Sequence, residues 1–151
     1  MKIIFLLSIL GVVCSCNYPS NPPADATHTV VAEKLDEVHC YRYIKNKDTV
    51  SLTTIFINDS ITGTLAYNLY EKDKNSGTIQ GQMKGDLLIA DYNFNSEGSL
   101  STRQVAFKKS GNNLIEGYGE AVEDKGKSRF KNLDSLNFEH AVMLTEVACE
   151  K

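Results

Sequence analysis

Tryptophan is absent, and the three prolines all fall between Pro19 and Pro23. A proline-poor body keeps its backbone N–H groups available for long hydrogen-bonded ladders, and the clustered prolines mark a linker. Basic residues are not in excess: 16 Lys and Arg stand against 19 Asp and Glu, for a net charge of −3. That balance excludes a basic nucleic-acid surface, so nucleic acid is not an expected partner. No apolar run reaches the ~20 residues a membrane-spanning helix needs. There is no Cys-x-x-Cys, no Gly-x-Ser-x-Gly and no phosphate-binding glycine loop. The three histidines, His28, His39 and His140, have no companion at metal-ligand spacing. No catalytic residue, no metal and no cofactor is therefore assigned, and the chain is not expected to be an enzyme.

What is present starts at the N-terminus. Met1-Lys2 gives a short basic start, and Ile3 to Val13 is apolar apart from Ser8. The length and flanks are those of a secretory signal. Val13-Cys14-Ser15-Cys16 follows and resembles the bacterial lipobox, with an aliphatic residue three before the cysteine and a small one just before it. Cys16 fits that pattern. Cys14 does not, because Gly11 and Val13 stand at those positions. The resemblance implies cleavage after residue 15, acyl chains such as palmitate on Cys16, and attachment to a membrane. Each buried methylene contributes ~0.8 kcal/mol, so several chains on one residue hold firmly. Residues 1–15 are then a signal peptide and 16–29 a lipidated tether, with Asn17 to Ala26 rich in Pro, Asn and Ala. No acidic run follows Cys16, which points to the cell envelope, on the outer membrane facing the periplasm.

Residues 30–151 read as one domain. Val30 to Leu35 is either a helical turn or an irregular lead-in. Strands are expected at Val38–Ile44 and Val50–Ile57. From Ile61 to Tyr70 the alternation is clear: Ile61, Gly63, Leu65, Tyr67 and Leu69 take one face, and mostly polar residues the other. Further strands are expected over 77–83, 86–94, 99–109 and 114–121. In the last, Gly117 and Gly119 share a face, a sign of bending or of a close neighbour. An irregular stretch from Phe130 to Phe138 with a short strand at its end, and a closing strand (or a helix) over Ala141–Cys149, complete the chain. Eight or nine short strands in sequence order make an all-β, antiparallel up-and-down meander. Closing it into a full or half-open barrel of lipocalin-like architecture would remove its edges.

After processing, Cys40 and Cys149 are the cysteines left without lipid. In an oxidising compartment they are expected to pair and to join the first strand to the last, a loop whose crosslinking contributes ~4–5 kcal/mol in the chain-entropy model. Two separate buried thiols are the alternative.

The segments Gly77-Thr-Ile-Gln-Gly-Gln-Met-Lys-Gly-Asp86, Ala90-Asp-Tyr-Asn-Phe94, Ser96-Glu-Gly98, Arg103-Gln-Val-Ala-Phe107 and Glu116-Gly-Tyr-Gly119 resemble those of a family of small lipoproteins of Gram-negative bacteria. Lipobox, body length and near-terminal cysteine are shared over nearly the whole mature chain. The family carries no assigned activity, so the resemblance speaks to fold and location. In architecture the chain is also similar to membrane-anchored lysozyme inhibitors, whose inhibitory loop is a Ser-Gly followed closely by an aromatic. Here Ser110-Gly111 runs into Asn112-Asn113, and Tyr118 comes late.

One polar group stands out. Arg103 shares a strand face with Val105 and Phe107, while Glu116 lies in the next strand. Antiparallel pairing about Ser110–Asn113 would set Arg103 beyond Glu116, nearer Glu120. An arginine turned inward needs a charge partner. The structural reading is an ion pair, or a side chain laid along the surface with its head in water. The functional reading is a polar pocket in which Tyr92, Arg103, Glu116 and Tyr118 meet a small anionic or amphipathic ligand. The expected function is a non-enzymatic envelope lipoprotein that binds a small ligand or a protein. The alternative is an inhibitor or sensor of another envelope protein, acting through loops such as Asn95–Ser99 or Lys72–Ser76. An enclosed apolar-and-polar cavity would favour the ligand; a filled core with a protruding, exposed aromatic loop would favour the partner.

Overall fold

The computed structural model describes residues 37–150 other than Asp73 and Glu97, and the side chain of Ser96 is left aside. The expected signal peptide, Cys16, the tether and the stretch Val30–Leu35 lie outside the described residues.

Polar two-residue turns set the strand lengths. β1 (Glu37–Lys45), β2 (Asp48–Ile57) and β3 (Ser60–Asn68) are joined through Asn46-Lys47 and Asn58-Asp59. Asn46 and Asn58 take φ values of 56° and 55°, the left-handed conformation that Asn tolerates best among non-glycine residues. β4 (Asn75–Lys84), β5 (Leu87–Ser96) and β6 (Ser99–Ser110) continue the meander. Every neighbouring pair from β1 to β6 is antiparallel.

The regular pattern then shortens. β7 (Asn113–Glu116) has four residues and pairs with the end of β6. β8 (Ala121–Asp124) and β9 (Lys127–Phe130) form a separate hairpin. Its turn residues Lys125 and Gly126 both have positive φ, 51° and 76°, as a type I′ turn demands. A 3-10 turn at Leu133–Ser135 follows, and β10 (Met143–Val147) enters between β7 and β1. The β5–β6 pairing closes the circle, so eight strands make a barrel and the β8–β9 hairpin flanks it.

The expected closed meander is therefore the architecture, with its last barrel strand reached after the hairpin. The expected strand at 114–121 is divided. β7 ends at Glu116, Tyr118 makes a single bridge to Asn137, and β8 starts at Ala121. Closure also explains the cysteines. Cys40 is opposite Val147 in the β1–β10 register, and Cys149 bonds to it with Cα atoms 5.3 Å apart.

Alternation carries the barrel interior. Ile61, Leu65 and Tyr67 of β3, Leu88, Ala90 and Tyr92 of β5, and Val105 and Phe107 of β6 all belong to one buried cluster. Leu114 and Leu144 bring β7 and β10 into it. Burying each of the larger side chains contributes about 1.5–3 kcal/mol. An eight-stranded barrel is just wide enough for its side chains to fill it, and Tyr92, Phe107 and Leu52, each almost fully buried, do so here.

Outside the barrel, Ile89 and Ala106 are buried too. The segment after β8 covers them: Leu133 lines the same crevice as Ile89, and the Phe130 N–H donates to the Gln104 Oε1. Asp91 secures the hairpin from the barrel wall, with Lys127 Nζ at 2.8 Å and the Arg129 guanidinium at 3.8 Å.

Candidate binding cleft at the interrupted seam

β6 is twelve residues long, but β7 accompanies only its end, from Phe107 to Ser110. Over its first half β6 keeps β5 on one side. On the other side β9 touches it once, in parallel, at Arg103 opposite Ser128. The seam opens because the chain after β7 is held from outside. The Gly117 N–H still reaches the Ala106 carbonyl at 2.8 Å. Beyond it, Phe138 and Leu136 lie where side chains at 117 and 119 would stand: Cβ atoms there would fall 2.7 Å from the Phe138 ring and 2.8 Å from Leu136 Cδ2. The shared glycine face signals this close neighbour.

Two clefts flank the point of contact. One, about 480 Å³, runs between Leu100–Arg103 of β6 and the β8–β9 hairpin, with Phe94, Val122 and Glu123 in its walls. The other, about 180 Å³, is lined by Glu116, Gly117, Tyr118, Gly119 and Phe130. Both include Arg103, Ala121 and Ser128, so Arg103 stands where they meet.

Glu116 is buried, and each carboxylate oxygen accepts one phenol. Tyr67 Oη donates to Oε1 at 2.6 Å and Tyr118 Oη to Oε2 at 2.8 Å. These charge-assisted bonds keep the charge paid for inside the barrel. The tyrosines respond in turn: burial and then the Glu116 charge push both phenols well above the usual tyrosine range.

Arg103 is held by rings. Its guanidinium carbon is 5.1 Å from the Tyr67 ring, 5.5 Å from Tyr92 and 5.4 Å from Phe94. Tyr92 and Phe94 stack, centroids 4.7 Å apart. Ring faces attract a cation, most strongly where water is thinned out, and a guanidinium stacks on them readily. Among the described residues no carboxylate forms an ion pair with Arg103. Glu120, toward which simple pairing pointed, is exposed and bonds Lys131 at 3.2 Å. The Arg103 Nε and the Tyr92 hydroxyl are buried without a hydrogen-bond partner among the described residues. Burial raises the Tyr92 phenol, and the Arg103 charge opposes that rise.

Tyr92, Arg103, Glu116 and Tyr118 are thus brought together at one end of the barrel, in two linked sets. Glu116 and Tyr118 hydrogen-bond, and Arg103 stacks on Tyr92. Tyr67 joins the sets, touching Glu116 through its hydroxyl and Arg103 through its ring. Sequence reasoning placed Tyr67 on the inward face without seeing this link, and it passed over Phe94, Leu100 and Val122 as cleft walls. Parity marks Tyr67 and Phe94 as inward; only closure of the barrel says which strands meet across it.

The remaining candidates lie elsewhere. His39 is gripped by Glu146 at 2.6 Å and Glu37 at 3.0 Å, on β1 and β10. His140 lines a different groove with Arg42 and Met143. Among the described residues no three His, Cys, Asp or Glu side chains are grouped to hold a metal. The cleft offers a half-desolvated guanidinium beside apolar walls, an arrangement that receives anions. No protein-family model, curated protein or solved structure matches the chain.

Proposed function

We propose that this is a non-enzymatic binding protein of the bacterial envelope, anchored through lipid on Cys16, whose site is the cleft around Arg103. Its ligand is a small anionic or amphipathic molecule. The observation that carries the reading is the Arg103 guanidinium, caged by Tyr67, Tyr92 and Phe94 and in no ion pair among the described residues, at the junction of two open clefts. A half-buried charge whose Nε is closed off from solvent is costly unless something meets it. The Val13-Cys14-Ser15-Cys16 motif supports the anchor and the envelope location. The Cys40–Cys149 bond supports an oxidising compartment.

The test separates binding from folding. The amphipathic anion 8-anilinonaphthalene-1-sulfonate is titrated against the full chain and against Arg103→Ala, and each melt is recorded. The wild type is expected to give saturable, blue-shifted fluorescence and a rise in melting temperature, and the variant to lose both. Fluorescence that persists unchanged in a folded Arg103→Ala sinks the reading.

A second reading, an inhibitor or sensor of an envelope protein, draws on the filled barrel and on Leu100, 74% exposed beside the Asn95–Ser99 hairpin tip. Exposed apolar side chains at a hairpin tip suit a protein contact. Crosslinked envelopes with Cys16 intact would then yield a partner that Leu100→Glu releases; capture that ignores this substitution speaks against it.

A further inference from the structure

The cations near the cleft are not equivalent. Lys127 is held at 2.8 Å by Asp91, and Arg129 lies between Asp91 and Asp124, at 3.8 and 3.7 Å. Those charges are answered by the hairpin's own attachments. Arg103 faces the clefts with rings beneath it and a buried Nε that no described group satisfies. The acids are placed on either side: Glu116 lines the inner cleft and Glu123 the outer one. Of the three phenols around Arg103, Tyr67 and Tyr118 are already given to Glu116, and the Tyr92 hydroxyl is buried beneath the guanidinium.

This distribution limits the charge a guest can carry. One negative charge meets the guanidinium. A second, on the same head group, faces carboxylates on both sides, and among the described residues no other Lys or Arg lines either cleft; like charges in a half-buried site repel. The apolar surface fixes the rest of the guest. Leu100 and Val122 are 74% and 44% exposed, and with Phe94 they wall the larger cleft on the outer side of Arg103. A hydrocarbon chain lying there would cover surface that water now meets.

We propose that the cleft selects monoanionic, single-chain amphiphiles of the carboxylate class, with the head on Arg103 and the chain along Phe94, Leu100 and Val122. The inference rests on reading the cleft as a ligand site and adds the rule by which it chooses.

The experiment compares octanoate, octyl phosphate and octanol by calorimetric titration at about pH 8, using the full chain in lipid nanodiscs with empty discs as the blank. Octyl phosphate is dianionic there, since a phosphate monoester loses its second proton near pH ~6. Octanoate is expected to bind at least about tenfold more tightly than either competitor. Glu123→Gln, on the exposed strand β8, is expected to narrow the gap between octanoate and octyl phosphate severalfold and to leave the melt unchanged. Octyl phosphate or octanol binding as tightly as octanoate overturns the proposal, as does a gap that Glu123→Gln leaves untouched. If anilinonaphthalene sulfonate binds through Arg103 and octanoate does not, the selection rule fails while the ligand site stands. If neither binds, the ligand site itself falls.

Discussion

The two halves of the barrel use the same strand chemistry to different ends. From β1 to β5 each strand is nine or ten residues long and paired along nearly its whole length. From β6 onward the ladder is rationed: β7 has four residues, β10 five, and β9 meets β6 at a single position. The regular half satisfies its own backbone and buries its own face. The interrupted half leaves a strand partly unaccompanied, and its Arg103 and Glu116 meet rings that the regular half supplies. A complete ladder builds a body; a broken one leaves clefts beside it.

The sharpest way to break the contrast is to cut the bond that ties one half to the other. Cys40 belongs to β1 and Cys149 follows β10, 109 residues later. Cys149→Ser is expected to lower unfolding free energy by about 4–5 kcal/mol in the chain-entropy model. Urea unfolding of the variant beside the wild type measures it. A loss below about 1 kcal/mol would mean that the ends hold together without the bond.

A pair of glycines sharpens the comparison next. A Cβ at Gly63, in the regular half, would fall 1.8 Å from the Thr53 carbonyl oxygen, a backbone atom fixed by its ladder. At Gly119, in the interrupted half, the obstacle is Leu136 Cδ2 at 2.8 Å, the tip of a side chain that can turn away. Gly63→Ala is expected to cost about 3 kcal/mol and Gly119→Ala less than about 1 kcal/mol. Equal losses in denaturant would show both halves to be equally rigid.

The third contrast is a pH dependence. Tyr67 and Tyr118 keep their protons in the folded barrel, because burial and Glu116 disfavour the phenolate. In the unfolded chain they ionise near the ordinary value of about 10. The folded state therefore binds more protons above that point, and stability falls as pH rises through about 10 and beyond. Below it the contribution is complete. Tyr67→Phe is expected to flatten part of that slope while lowering stability at neutral pH by about 1–3 kcal/mol, since one Glu116 oxygen loses its donor. Stability curves of the two proteins between pH ~8 and ~11.5 check this; identical slopes would refute it.

Much of the regular half was legible in the sequence because period-two alternation is a local signal. Ile61, Leu65 and Tyr67, or Leu88, Ala90, Tyr92 and Phe94, declare their face within one strand. The pairing of Cys40 with Cys149 followed from the shortage of other partners. The interrupted half was harder. Leu114 to Ala121 alternates well enough to look like one strand, and what divides it is the outer packing of Leu136 and Phe138, which no local pattern states. The cluster was half legible for the same reason. Arg103 announced itself as a charge on an apolar face, but the aromatic cage that receives it comes from β3 and β5. Which ring meets which cation is decided by curvature and closure.

The hairpin that walls the larger cleft adds a property of its own. Its links to Asp91 through Lys127 and Arg129 are partly open to solvent, so dissolved ions compete with them and weaken them as salt rises. The disulfide and the apolar core carry no charge for salt to screen. Fresh water and brine would thus grip the same barrel differently: the packed cylinder holds, while its outer flap is tied less firmly as the medium grows saltier.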